Sequence, residues 1–186
     1  MTLIIVIVVI AILVGIYVVI YNSLVQLRVH AQESWSQIDV QLQRRNDLIP
    51  NLVSTVKGYS KHEATTLEKV TQLRAALNEV PDDDRAQKME ISNQLSGTLK
   101  SLFAVAENYP DLKASTEYQQ LMEELSNTEN KIAYARQLYN STVAALDTKI
   151  QSFPSNIIAK LHHFTAMEYL QVPAEAKDVP HVSFDD

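Results

Sequence analysis

The chain has 186 residues, with 16 Lys and Arg against 22 Asp and Glu for a formal charge of −6, no cysteine and only three glycines. A net negative charge argues against non-specific nucleic-acid binding, and the lack of cysteine excludes disulfides, thiolate metal sites and a cysteine nucleophile. Three Gly and six Pro are too few for a turn-rich all-β fold, whereas 46% hydrophobic residues can build the core of one ordinary domain.

The first element is an apolar run from Leu3 to Tyr21 without charge or proline. At about 1.5 Å per residue it reaches roughly 28 Å, the thickness of a bilayer's hydrocarbon core. A cleaved signal peptide would need a basic start, a shorter apolar stretch and a small-residue cleavage site. The flank here reads Tyr21-Asn-Ser-Leu-Val25, so the run is expected to be an uncleaved anchor. No Lys or Arg precedes it, while Arg28, Arg44 and Arg45 follow. By the positive-inside rule this puts the C-terminal domain in the cytoplasm and the N-terminus outside.

A seven-residue repeat then runs from Leu24 to Leu77. Twelve of its sixteen core positions are apolar, which predicts one amphipathic helix leaving the membrane directly. Pro50 lies inside it. The repeat keeps phase across Pro50, favouring a kink over a reversal with Asp47 as a new N-cap. Asn78-Glu-Val-Pro-Asp-Asp-Asp84 predicts a helix stop followed by an acidic cap. A second helix is expected from about Arg85 to Asn108, with Met89, Ser92, Leu95, Leu99, Leu102, Ala106 and Tyr109 facing inward. Tyr109-Pro-Asp-Leu-Lys113 reads as a turn, and Thr116 with Gln119 as a capping box. The third helix carries Leu121, Leu125, Ile132, Ala135, Tyr139, Val143, Leu146 and Ile150, and ends at Phe153-Pro-Ser-Asn156. The apolar piece Ile157–Phe164 could lie on lipid, but with one full positive charge it is expected to pack on the bundle end instead.

The expected fold is therefore all-α: a transmembrane helix over 1–21, an antiparallel bundle of three to four long helices over 22–172, and a flexible acidic tail over 173–186. A first helix whose soluble part spans roughly 80 Å would outreach its partners. Its stripe would then lack an intrachain partner, so Leu24, Ala31, Trp35, Ile38, Leu42 and Ile49 are candidates for self-association into a homo-oligomer. Trp35 also suits the core at a helix crossing near the membrane.

Little in the sequence points to chemistry. Of His30, His62, His162, His163 and His181, none has Glu three residues before it, and His62-Glu63 lacks a second metal-binding His. No metal, cofactor or small-molecule substrate is expected. The carboxylates read as a solvated face, with an enzyme site among Glu107, Glu129 and Arg136 as the remote alternative. Arg45, Asp47, Asn51, Asn127, Glu129, Asn130 and Arg136 form an unusually dense polar set. It reads either as a buried network fixing helix register, with Arg45 paired to Asp39 or Glu129, or as a docking face.

Several blocks, in order, resemble the bacterial LemA family. They are Trp35-Ser-Gln-Ile-Asp-Val-Gln-Leu-Gln-Arg-Arg45, Asp47-Leu-Ile-Pro-Asn-Leu-Val53, Val56-Lys-Gly-Tyr59 with His62-Glu63, and Leu95-Ser-Gly-Thr-Leu-Lys100. Ala106-Glu-Asn-Tyr-Pro-Asp-Leu-Lys113, Thr128-Glu-Asn-Lys-Ile-Ala-Tyr-Ala-Arg136 and Phe153-Pro-Ser-Asn156 continue the match. Val29-His30-Ala31 departs from the family's more usual Asn-Arg-Val, and Leu161-His-His-Phe164 from its Phe-Gly-Phe type end. The resemblance implies a small helical-bundle protein of the bacterial inner membrane, N-terminus outside, often met beside membrane zinc proteases of the HtpX type. It implies no catalytic residue and no cofactor. The expected function is a non-enzymatic scaffold that self-associates through its first helix and serves envelope maintenance. The alternative is an adaptor docking a membrane protease or other envelope protein through the polar blocks.

Overall fold

The computed structural model describes residues 1–59 and 64–171. Among these there are six helices and no strand: α1 (Thr2–Tyr59), α2 (Ala64–Glu79), α3 (Arg85–Ala106), α4 (Pro110–Ala114), α5 (Thr116–Gln151) and α6 (Ser155–Leu161). They form two compact units. One comprises residues 1–39 and 133–169, and the other residues 40–132 with the described chain from Leu170 onward. The expected acidic tail over 173–186, with His181, and the repeat position Glu63, with His62, lie outside the described residues.

The opening of α1 is exposed along its length, so it is not a core helix, and it is long and apolar enough to cross a membrane. The same helix continues through Pro50, which excludes the reversal. Proline has no N–H, so the carbonyl one turn earlier, that of Asn46, loses its helical donor. Arg74 on α2 supplies the replacement, its Nε donating to Asn46 O at 3.0 Å. Asn46 Nδ2 also donates to Asn78 Oδ1 at 2.7 Å, so two side chains one turn apart on α2 hold the proline site. Replacing Arg74 with Met is therefore expected to cost about 1–2 kcal/mol. That cost should shrink when Pro50→Ala restores the missing amide. Denaturant unfolding of the four-member cycle checks this, and additive losses would exclude the compensation.

The long repeat does not make one helix down to Leu77. α1 ends at Tyr59, itself exposed, and α2 begins at Ala64, burying Leu67, Val70 and Leu77. The expected single first helix is thus corrected to two. In the second unit, α2 packs on α3 and the core gathers Ile49, Leu52 and Val56 of α1, Leu67 and Val70 of α2, Leu95, Leu99 and Leu102 of α3, and Tyr118 and Leu125 of α5. The α2–α3 turn is capped as expected, Asp84 Oδ1 accepting the N–H of Gln87 at 3.0 Å. The segment from Pro110 is a one-turn helix rather than a plain turn, with proline at its start. The cap of α5 lies one residue earlier than expected: Ser115 Oγ accepts from Tyr118 N–H at 3.4 Å.

In the first unit, α1 and the second half of α5 run antiparallel, with Trp35 buried edge-on to Tyr139, ring centroids 6.2 Å apart. Leu24, Leu146, Ile158, Ala159 and Phe164 form the core at the end where the apolar segment begins. α6 closes with two backbone bonds, Phe164 N–H to Ala159 O and His163 N–H to Lys160 O, and His163 at φ 54 takes the left-handed position that glycine usually fills. An irregular segment follows, in which Phe164 is buried and the backbone carbonyl of Glu168 accepts the Tyr139 hydroxyl.

These elements overturn the premise of an unpartnered stripe. Leu24, Ala31, Trp35, Ile38, Leu42 and Ile49 are between 0% and 7% exposed within this single chain. The predicted self-association seam is the chain's own core.

Candidate functional site: a buried arginine and an acidic groove

Arg45 occupies an apolar position of the repeat and is fully buried, the largest side chain to be so among the described residues. A buried guanidinium needs a charge partner and acceptors for its five donors. Its Nη1 donates to Glu129 Oε1 at 2.6 Å and to Ser96 Oγ at 2.7 Å. Its Nη2 donates to Ser92 Oγ at 2.8 Å and to Ser92 O at 3.3 Å. Ser96 Oγ in turn lies 2.8 Å from Glu129 Oε2, closing a ring through α1, α3 and α5. Nε is left without an acceptor, and the buried Oε1 of Gln41, one turn earlier on α1, without a donor. Of the two acids named from sequence, Glu129 is the partner.

This arrangement is suited to fixing register. Three helices are tied at one level by directional, charge-assisted bonds, and a slip of one turn would bury the guanidinium among leucines. It is poorly suited to acid–base work, because both Glu129 oxygens are already bonded and Arg45 offsets the carboxylate's charge. Glu107, the other acid considered, is exposed and paired with Lys113 at the surface. Among the described residues no three His, Asp or Glu side chains gather where they could hold a metal ion.

The remaining polar candidates take other roles. Asp47 is exposed and accepts from Gln43 at 3.0 Å within α1, while Asn127 and Asn130 are exposed on α5. Arg136 is half-buried and already engaged. Asn51 lines an open groove of about 250 Å³ between α1 and α5, with Leu48, Glu117, Gln120, Leu121 and Glu124. From sequence Leu121 is expected only as a core residue of its helix, and Glu117, Gln120 and Glu124 are not singled out as a site, because polar positions on a solvated helix face look alike until the neighbouring helix is placed. Arg44 meets Glu124 at 3.5 Å with both side chains about half exposed, a geometry that adds little stability. Burial first, and then the charge of Glu107, pushes the Tyr118 phenol above its ordinary range.

The LemA family model matches residues 34–184. Protein LemA of Metamycoplasma hominis is 30% identical over 151 residues, covering 79% of this chain and 68% of that protein. The chain belongs to the LemA family. The chain is also similar to magnetosome protein MamQ of Magnetospirillum gryphiswaldense, 23% identical over 173 residues that cover 80% of this chain and 64% of MamQ. Magnetosome protein MamQ 2 of Paramagnetospirillum magneticum is 25% identical over 175 residues, covering 81% and 64% respectively. The matched LemA region contains the whole Arg45 ring and every residue of the groove. Helical architecture, apolar first segment and relatives together make this a membrane-anchored helical protein of the LemA type.

Proposed function

We propose that the protein is a non-enzymatic adaptor of the bacterial inner membrane, its bundle on the cytoplasmic side, that docks a neighbouring envelope protein through the α1–α5 groove. The observation carrying this reading is the groove itself. It is open, two of its six lining residues are glutamates, and it lies beside the exposed Asp47. Such a surface favours a segment bearing Lys or Arg, with Leu48 and Leu121 supplying apolar contact. A membrane protease is one such neighbour. The buried Arg45 ring serves this role indirectly by holding α1 and α5 at fixed register, so the groove exists before the partner arrives.

Photo-crosslinking residues placed at Asn51 and Gln120 in cells are expected to trap one discrete heterologous protein, while the same residue at exposed Gln94 on α3 does not. Charge reversal, Glu117→Lys with Glu124→Lys, should reduce that adduct more than tenfold. Adducts from Asn51 and Gln120 no different from those at Gln94 would end the adaptor reading.

Self-association remains the second reading, moved to a different surface. Tyr134 and Leu138, one turn apart on α5, are exposed at 70% and 38% and offer an apolar pair outside the core. Adducts between two copies of this chain, and none to other proteins, would favour it.

A further inference from the structure

We propose that α6 lies on the lipid surface as a second membrane contact, its outer face inserted at the boundary between headgroups and acyl chains beside the α1 span. The helix is apolar on two sides. Ile158 and Ala159 are buried in the core with Leu24 and Leu146. Phe153 in the preceding corner, and Ile157 and Leu161 one turn apart on α6, are exposed at 81%, 60% and 65%. Two large apolar side chains on one exposed helix face, with a third exposed in the corner just before it, call for an apolar environment.

The position of α6 says which environment. Its C-terminal cap residue, His162, bonds through Nε2 to the hydroxyl of Tyr17, and its ring lies 4.7 Å from that of Tyr21. Tyr17 and Tyr21 are stacked on α1 in the last turn of the apolar run, where interfacial aromatic residues belong. Tyr17 is one turn, about 6 Å, inside the end of that run. The end of α6 is therefore held at the depth where the span meets the headgroups, with Leu161 the residue next to that anchored end. Arg28, one to two turns beyond the run, stacks its guanidinium on Phe164 at 4.8 Å and marks the watery side. Lys160, exposed on α6, suits phosphate headgroups. The charge count that argues against a lipid helix in sequence applies to freely binding helices. Here the covalent span already holds α6 at the surface, so little electrostatic attraction is needed.

The test uses the full chain in phosphatidylcholine/phosphatidylglycerol vesicles. The protein has no cysteine, so Ile157→Cys, Leu161→Cys or Phe153→Cys each places one environment-sensitive fluorophore. Ile10→Cys reports on the span and Gln94→Cys on water. Brominated lipid is expected to quench the probes at 157 and 161 at least threefold more than the probe at 94, with aqueous iodide giving the reverse order. Quenching by lipid at 10 but not at 153, 157 or 161 would overturn the proposal while leaving the anchor intact. Shielding of these sites from both quenchers would overturn it too, assigning the face to protein.

Discussion

Replacing Glu129 with alanine is expected to lower the stability of the folded chain by about 3 kcal/mol, more than replacing Arg45 with methionine. The asymmetry follows from where each charge sits. Arg45 is wholly buried, whereas the Glu129 side chain keeps 32% of its surface in solvent. Removing Glu129 leaves an ionised guanidinium in the core with only serine oxygens to meet it, since arginine does not give up its proton. Removing Arg45 leaves a carboxylate that water can reach, and methionine refills most of the volume, so that loss should be about 1 kcal/mol. The double variant Arg45→Met with Glu129→Gln should recover most of the single Glu129→Ala loss. In thermal unfolding of the detergent-solubilised chain, followed by helical circular dichroism, 3 kcal/mol corresponds to a drop of roughly 10 °C. The opposite ranking would mean that Glu129, not Arg45, is the group needing its partner.

Ile38→Asp should unfold the protein rather than dissociate it. Ile38 is fully buried, and an aspartate there either ionises without a partner or takes up a proton at high cost, about 4 kcal/mol or more. Leu42→Asp should behave alike. Val40→Asp, on the same helix but 62% exposed, should stay within about 0.5 kcal/mol of the parent. Mass and helicity measured on the same samples separate the cases. A smaller particle with undiminished helicity in Ile38→Asp would restore the self-association seam that the fold buries.

Much of this architecture is legible in the sequence, because helical periodicity is a local signal. The apolar run, the α3 stripe and the α5 stripe appear where their spacing puts them, and Arg45 declares itself as a charge at a core position. The end of α1 is hidden for a definite reason. The repeat positions Val56, Val70 and Leu77 keep one phase on both sides of Tyr59, so counting sevens sees no break. The available stop signal is Gly58 behind Lys57, a basic residue and a glycine in the final turn. Overrunning that signal made α1 too long and its stripe falsely bare. The segment from Phe164 to Tyr169 has no period to detect, and its contact with α5, from the Tyr139 hydroxyl to the Glu168 carbonyl, arises only in three dimensions. The groove is hidden likewise, since Asn51 and Gln120 are far apart in sequence and each looks like any polar surface residue.

The bond from Arg74 to the Asn46 carbonyl has an evolutionary corollary. A main-chain acceptor is present whatever residue stands at position 46, so this tie does not depend on side-chain identity there. What it does depend on is the imino acid one turn later, which frees the carbonyl. Positions 50 and 74 should accordingly drift as a linked pair among relatives: a lineage that exchanges the proline for an ordinary residue relaxes the demand for a guanidinium on α2.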